Sequence, residues 1–167
     1  EQKIDQRTLF IYTSDNGPWK LNRGRGGSAY PLRGFKFQTY EGGMRVPCIM
    51  RWPGKVPKGT SCDEVAASID LMPTIAKLVG ADLMKDRKID GKNIWPLISG
   101  IEGAVSPHEI YYYYKGNRLE SARQGKWKIR RSGKKSQAVE LYDLDSDISE
   151  TKNLAKENEQ LVQDMIK

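Results

Sequence analysis

The chain has 167 residues, with 28 lysines and arginines against 21 aspartates and glutamates, which gives a formal net charge of +7. It contains two cysteines and one histidine, which excludes a disulfide-stabilised scaffold, a four-cysteine zinc site and a histidine-rich metal centre. No apolar run approaches the ~20 residues that a membrane-spanning helix needs, so we expect no membrane partner. The positive charge favours an anionic ligand without defining its class.

The first part of the sequence has the pattern of an α/β protein. Apolar segments rich in β-branched or aromatic residues predict three strands, over residues 8–13, 44–52 and 65–69. Asp70 is expected to cap a helix that runs to about Val79, and Gly80 is expected to end it. A long segment rich in glycine and arginine separates the first two strands, and loops of this length are usually functional.

The second part of the sequence has the pattern of an antiparallel sheet. Strands are predicted over residues 110–114, 121–131 and 138–143, with hairpin connections at 124–126 and 132–134. A final helix over about 157–167 carries its apolar residues on one face. We therefore predict two domains, an α/β portion over residues 1–105 and a small antiparallel sheet with a packed helix over residues 106–167.

Two candidate metal ligands follow the first predicted strand. In α/β proteins, ligands collect at the carboxyl ends of strands, and Asp15 and Asn16 occupy that position. A carboxylate and a side-chain amide oxygen are hard donors, which suit Ca²⁺ or Mg²⁺. The same tripeptide, Asp-Asn-Gly, is common in ordinary turns, so on its own it leaves both interpretations open.

Lys36 is a candidate anion-binding residue because it lies between two phenylalanines. Aromatic neighbours exclude water from an ammonium group, and such a lysine can bind an anionic oxygen or stabilise a leaving group. A surface lysine on an amphipathic loop is the plainer interpretation of the same pattern. Glu41 is expected to accept hydrogen bonds from the following glycine backbone or to pair with Arg45, which would be a structural role.

Five motifs that occur in one order make the pattern more specific. They are Thr13-Ser14-Asp15-Asn16-Gly17, Gly34-x-Lys36-x₄-Glu41-Gly42-Gly43-x-Arg45-x-Pro47, Trp52-Pro53-Gly54, Asp70-Leu71-x-Pro73-Thr74 and Asp90-Gly91. In this order they resemble the C-terminal half of a type I, formylglycine-dependent sulfatase of the arylsulfatase and N-acetylgalactosamine-6-sulfatase kind. The resemblance continues into residues 140–144 and 150–154, and so covers nearly the whole chain.

The resemblance implies the alkaline-phosphatase-like fold, in which a large mixed sheet is followed by a smaller antiparallel sheet and a helix. It also implies that Asp15 and Asn16 help to bind Ca²⁺ and that Lys36 contacts the sulfate ester, while Glu41 and Arg45 brace the loop. The implied substrate is a sulfated carbohydrate or an aryl sulfate. The implied location is periplasmic or secreted, or lysosomal in a eukaryote.

The formylglycine nucleophile that the resemblance implies has no counterpart in the chain. It arises from the first residue of Cys/Ser-x-Pro-x-Arg, and neither Cys48 nor Cys62 has that context. The nucleophile is therefore expected upstream of Glu1, so that the chain would be an inactive fragment of a longer enzyme. Its unpaired sheet edges would favour self-association. We expect Cys48 to be a small apolar strand residue, and His108 to be structural or exposed to solvent.

Two other functions stay open at this point. A phosphodiesterase or phosphonate hydrolase of the same superfamily shares the metal-binding scaffold, although the segment 36–43 favours a sulfatase. A nucleic-acid-binding module is suggested by the Arg-Gly segment 23–27, the tyrosines at 111–114 and the cationic residues of 126–135. The tyrosines also fit a strand whose rings alternate between two faces, and the cationic residues fit a solvated face. Because no recognised nucleic-acid motif is present, we expect no nucleic-acid partner.

Overall fold

The structure is a computed structural model that describes residues 3–20, 25–131 and 138–167. The helices are α1 Glu41–Met44, α2 Leu71–Val79, α3 Trp95–Ile98 and α4 Glu159–Ile166, with 3₁₀ turns at Asp5–Arg7 and Ser68–Asp70. The strands are β1 Phe10–Thr13, β2 Cys48–Arg51, β3 Tyr111–Lys115, β4 Arg118–Gln124, β5 Trp127–Arg131 and β6 Val139–Asp143. Among the described residues, every helix is too short or too polar to span a lipid bilayer.

The chain forms two compact units, and each is discontinuous in sequence. The first unit consists of Glu1–Thr13 and Pro47–Glu109, and the second of Ser14–Val46 and Ile110–Lys167. The candidate metal ligands and Lys36 therefore belong to the same unit as the C-terminal sheet. The predicted domains, residues 1–105 and 106–167, stay a prediction.

The first unit contains a two-stranded antiparallel sheet and helix α2. β1 pairs with β2, and Phe10 lies opposite Arg51 at one end of the pair. The predicted helix is confirmed, and it ends at Gly80, whose φ of 69° is the left-handed conformation that glycine adopts most easily. The predicted strand over 65–69 is wrong. The Asp70 carboxylate accepts the backbone N–H of Ala67 at 2.8 Å, which closes a 3₁₀ turn instead.

The second unit contains a four-stranded antiparallel sheet in the order β3-β4-β5-β6. The predicted strand over 121–131 is two strands, β4 and β5. The hairpin connection predicted at 124–126 joins them and is confirmed, with a φ of 55° at Gly125. Helix α4 is close to its predicted bounds, and Leu161, Val162 and Met165 pack against a core of sheet residues. The predicted hairpin connection at 132–134 lies outside the described residues.

Candidate active site

Backbone hydrogen bonds join the two segments that carry the predicted site residues. The Gly17 N–H donates to the Gly43 carbonyl at 3.1 Å, directly after the Asp15–Asn16 turn. The Lys36 N–H donates to the Pro18 carbonyl at 2.9 Å. Motifs that are separated in the sequence therefore meet in one piece of backbone structure.

This junction depends on glycines because main-chain atoms approach one another too closely for a side chain. A Cβ atom at Gly17 would overlap the carbonyl oxygen of Gly42, and one at Gly43 would overlap that of Gln38. A Cβ atom at Gly42 would lie 2.6 Å from the carbonyl oxygen of Arg33, well inside van der Waals contact. The glycines of the Ser-Asp-Asn-Gly and Glu-Gly-Gly motifs are thus packing requirements.

The turn at Ser14–Gly17 presents oxygen atoms suited to a hard cation. The Asn16 Nδ2 donates to the carbonyl of Gly17 at 3.2 Å, so Asn16 Oδ1 is the side-chain atom left for a cation. The Ser14 hydroxyl donates to the Asn16 carbonyl at 3.1 Å and holds the turn, while Asp15 is exposed. The donor chemistry of Asp15 and Asn16 therefore fits Ca²⁺.

The two candidate ligands are only part of a coordination sphere. Within the described ranges, no group of three or more histidine, cysteine, aspartate or glutamate side chains could hold a metal. Ca²⁺ takes roughly six to eight oxygens, so further ligands would have to come from other groups. The prediction of a Ca²⁺ site at Asp15 and Asn16 thus stays a prediction.

Lys36 is half-buried, and its surroundings differ from the predicted aromatic sandwich. Its Nζ lies 5.5 Å from the centroid of the Phe37 ring, a cation–π contact on one side. The Phe35 ring instead faces Lys20, whose Nζ is 5.1 Å from the ring centroid. One aromatic ring rather than two therefore contacts the Lys36 ammonium group.

An open cavity of about 330 Å³ lies beside Phe35, the residue that precedes Lys36 in the sequence. The described residues of its lining include the aromatic residues Trp19, Tyr30 and Phe35 and the cationic residue Lys20. Aromatic faces combined with a few polar groups are typical of small-ligand sites. The cavity is therefore a candidate site for the organic portion of an anionic ligand.

The Glu41 carboxylate braces the loop that carries Lys36, but the predicted ion pair between Glu41 and Arg45 is wrong. Glu41 is 1% exposed, and Lys128 Nζ on β5 donates to its Oε1 at 2.8 Å. Arg123 on β4 lies 3.7 Å from its other oxygen. The side chain of Arg45 is exposed, and only its backbone N–H reaches Glu41, at the carbonyl oxygen and 2.7 Å.

Glu150 is a buried site residue for which the sequence indicated no role beyond the family motif. Its Oε2 accepts the backbone N–H of Glu41 at 2.7 Å, and its Oε1 lies 3.0 Å from Lys128 Nζ. Burial raises the pKa of the Glu150 carboxyl, and the nearby Lys128 ammonium limits that rise. Glu41, Lys128 and Glu150 thus form a buried charge network, named here the carboxylate–lysine network.

The cationic residues of 126–131 form only part of the solvated face that the sequence suggested, since Lys126 and Arg131 are exposed. Lys128 is fully buried, and Arg130 pairs with Glu140 at 3.0 Å. The alternation predicted for the tyrosines is confirmed, since Tyr113 is buried while Tyr112 and Tyr114 are exposed. Arg23, Gly24, Lys134 and Lys135, which the nucleic-acid interpretation also used, lie outside the described residues.

His108 is structural, as predicted, and Asp70 has a different role from the predicted cap of α2. The His108 Nε2 lies 2.8 Å from Asp70 Oδ1, and both side chains are buried. The Asp70 side chain makes no hydrogen bond to α2 and instead accepts the N–H groups of Ala67 and Lys92, each at 2.8 Å. Cys48 lies on β2, as predicted, where it is exposed.

The chain belongs to the N-sulphoglucosamine sulphohydrolase C-terminal family, whose sequence profile matches residues 35–167. An arylsulfatase of Hemicentrotus pulcherrimus is 36% identical over 145 residues, which are 87% of this chain and 26% of that protein. The N-acetylgalactosamine-6-sulfatase of Sus scrofa is 37% identical over 127 residues, or 75% of this chain and 24% of that protein. The chain thus spans about a quarter of the length of these relatives.

Solved structures confirm the fold class. A crystal structure of Ps i-CgsB in complex with k-i-k-neocarrahexaose has a TM-score of 0.80 and 32% sequence identity. The similarity covers 97% of this chain and 35% of that one. The structural neighbours are sulfatases of the alkaline-phosphatase-like fold, so the predicted C-terminal portion of that mixed α/β fold is confirmed.

Proposed function

We propose that this chain is part of a formylglycine-dependent sulfatase that hydrolyses sulfate esters of a carbohydrate or an aryl alcohol. The junction of the Asp15–Asn16 turn with the Lys36 segment carries this proposal, because it joins candidate cation ligands and a cationic side chain. The family membership and the sulfatase names of the relatives support it. The nucleophile would come from another part of the protein, so the isolated chain would be inactive.

In the proposed enzyme, Asp15 and Asn16 contribute carboxylate and amide oxygens to a Ca²⁺ ion. When bound, the ion supplies positive charge that stabilises the anionic sulfate group. Lys36 binds a sulfate oxygen and stabilises the negative charge that develops on the leaving oxygen as the sulfur–oxygen bond breaks. The Phe37 ring makes a cation–π contact with the Lys36 ammonium group and helps to place it.

A sulfated glycan is the substrate class that we favour. The chain has a net charge of +7, and the cavity before Lys36 offers aromatic surfaces beside Lys20. The carbohydrate complex of Ps i-CgsB supports a sugar ligand in this fold. We propose a periplasmic or secreted location, or a lysosomal one in a eukaryote; self-association of the isolated chain stays a prediction.

Hydrolysis of matched esters by the full-length protein tests this proposal. Para-nitrophenyl sulfate and bis-para-nitrophenyl phosphate release the same chromophore, so one absorbance assay compares the two reactions directly. We expect a higher kcat/KM for the sulfate ester. A higher kcat/KM for the phosphate diester would overturn the proposal in favour of the phosphodiesterase alternative.

A further inference from the structure

We propose that Lys128 and Glu150 are positioning residues, which fix the loop carrying Lys36 and the adjoining Asp15–Asn16 turn. The proposal rests on the function proposed above, because it assigns the carboxylate–lysine network to that site. Neither residue touches the reacting groups in this account. Their effect on the reaction passes through Glu41 and the backbone that follows it.

The carboxylate–lysine network is sealed from solvent. Lys128 and Glu150 are 0% exposed, and Glu41 is 1% exposed. The Lys128 ammonium lies 2.8 Å from Glu41 Oε1 and 3.0 Å from Glu150 Oε1, and it lies 4.8 Å from the centroid of the Tyr113 ring. One buried cation therefore links the loop residue Glu41 to the segment that follows β6.

Glu150 holds the loop at both ends. Its carboxylate accepts the N–H of Glu41 at 2.7 Å, and its carbonyl accepts a hydrogen bond from Arg33 Nη1 at 2.8 Å. Arg33 and Glu41 flank Lys36 in the sequence. A single residue thus fixes the two boundaries of the segment that carries the candidate sulfate-binding lysine.

The same network reaches the candidate metal ligands through α1. Glu41 begins this helix, and the Gly43 carbonyl within it accepts the Gly17 N–H at 3.1 Å. Gly17 directly follows Asn16, so a displacement of α1 would displace the Asp15–Asn16 turn. The Gly42 N–H donates to the Arg33 carbonyl at 2.7 Å, which closes the loop on itself.

The physical character of the network favours a positioning role over simple stabilisation. Buried ion pairs are often no more stabilising than apolar residues of similar size, because desolvation offsets their attraction. Glu150 also has a φ of 51°, a left-handed conformation that non-glycine residues rarely adopt. The contacts of the network therefore hold Glu150 in a backbone conformation that is unfavourable by itself, which requires the surrounding structure to define its geometry closely.

The test compares variants of the full-length protein. Lys128→Met removes the central charge and keeps the side-chain length, whereas Glu150→Gln keeps an oxygen that can accept the Glu41 N–H. Asp70→Asn is the matched control, because it alters a carboxylate that is also 0% exposed but belongs to the other compact unit. Four properties are measured for each variant: thermal stability, Ca²⁺ affinity, amide hydrogen exchange, and kcat and KM. The kinetic constants are measured with whichever of the two para-nitrophenyl esters wild type hydrolyses with the higher kcat/KM.

We expect Lys128→Met to lower kcat and weaken Ca²⁺ binding by about tenfold or more, the range found when supporting residues of a site are removed. In Lys128→Met, amide hydrogen exchange should be faster than in wild type at Gly17, Lys36 and Gly42. Glu150→Gln should retain more kcat than Lys128→Met. Asp70→Asn should lower thermal stability, but leave kcat, Ca²⁺ affinity and these three amides close to wild type.

The proposal would be overturned if Lys128→Met lowered thermal stability alone and otherwise matched Asp70→Asn. Unchanged exchange at Lys36 and Gly17 in a folded Lys128→Met variant would also overturn it. The exchange readout needs no catalysis, so it separates this proposal from the proposed function. Failure of the sulfatase assignment appears in the wild-type ester comparison, whereas failure of the positioning role appears only in the variants.

Discussion

Lys128 and Glu41 are 87 positions apart in the sequence, and their buried side chains meet with Nζ and Oε1 2.8 Å apart. This pair connects β5 of the C-terminal sheet with the helical turn that ends the Lys36 loop. The C-terminal sheet therefore takes part in shaping the candidate site. Its strands carry no candidate ligand, yet they fix the backbone on which the candidate ligands lie.

Lys36→Ala should lower kcat/KM for a sulfate ester by about 10²-fold or more in the full-length protein. The substitution removes the positive charge that is proposed to stabilise the leaving oxygen in the transition state. The melting temperature should change by no more than about 2 °C, since the lysine is only half-buried. Steady-state kinetics and calorimetry measure the two effects. Lys77→Ala, on the exposed face of α2, is the control, and equal activity of the two variants would refute the role of Lys36.

Gly17→Ala should destabilise the protein by about 3 kcal/mol, because the new Cβ overlaps the Gly42 carbonyl and cannot be accommodated without moving backbone. Gly59→Ala is a comparison that isolates backbone strain. Gly59 has a φ of 72° with open space around it, so its substitution should destabilise by only about 1 kcal/mol. Chemical denaturation of both variants gives the difference, and equal losses would show that the close approach at Gly17 does not exist.

Asp147 should contribute pH-dependent stability to the turn that presents Glu150. Burial alone would raise the Asp147 pKa, but hydrogen bonds from the Lys152 N–H and from Thr151 outweigh it and lower the pKa below its ordinary value. A carboxyl group with a lowered folded-state pKa stabilises the protein above its ordinary pKa, and this stability is lost as pH falls through the lowered value.

Asp147→Asn should therefore reduce the free energy of unfolding at pH 7, and its stability should fall less steeply than that of wild type as the pH drops below about 4. Denaturation curves across this pH range measure the effect. Asp145→Asn, an exposed aspartate in the same turn, is the control. Parallel pH profiles for wild type and Asp147→Asn would contradict the assigned role.

His108→Ala should destabilise the protein by about 3 kcal/mol, because it leaves the buried Asp70 carboxylate without its imidazole partner. The kcat/KM for the ester should stay within about twofold of wild type, since His108 supports only the packing of its own compact unit. Denaturation and steady-state kinetics provide the two readouts. A large loss of activity without a loss of stability would instead make His108 part of the active site.

Local sequence patterns were sufficient to predict the two longer helices, α2 and α4. The apolar face of α2 and its stop at Gly80 are visible in the sequence, as is the apolar face of α4 that packs on the sheet. The missing strand at 65–69 shows the limit of such patterns. Val65 and Ile69 at its two ends are suited to a strand, but the Asp70 carboxylate accepts a hydrogen bond from the Ala67 N–H and a turn forms instead.

The motifs identified the candidate site residues but not what supports them. The Asp-Asn-Gly motif predicted oxygen donors and the segment before Glu-Gly-Gly predicted an anion-binding lysine, and the structure joins the two motifs through Gly17 and Gly43. The partner of Glu41 could not be predicted because Lys128 is distant in sequence and a basic strand usually faces solvent. The spacing of residues in a motif predicts contacts between residues that are close in the sequence. The burial of Lys128 depends instead on contacts between segments that are far apart in the sequence.

Calcium titration of the full-length protein by isothermal calorimetry tests the central claim most directly, namely that this chain supplies part of a metal site beside Lys36. The comparison is between wild type, Asp15→Asn and Asp63→Asn, in which the last alters an exposed aspartate of the other compact unit. We predict that Asp15→Asn weakens Ca²⁺ binding by at least about tenfold, because it removes a charged oxygen ligand, while Asp63→Asn binds as wild type does. Equal Ca²⁺ affinities for wild type and Asp15→Asn would contradict the assignment.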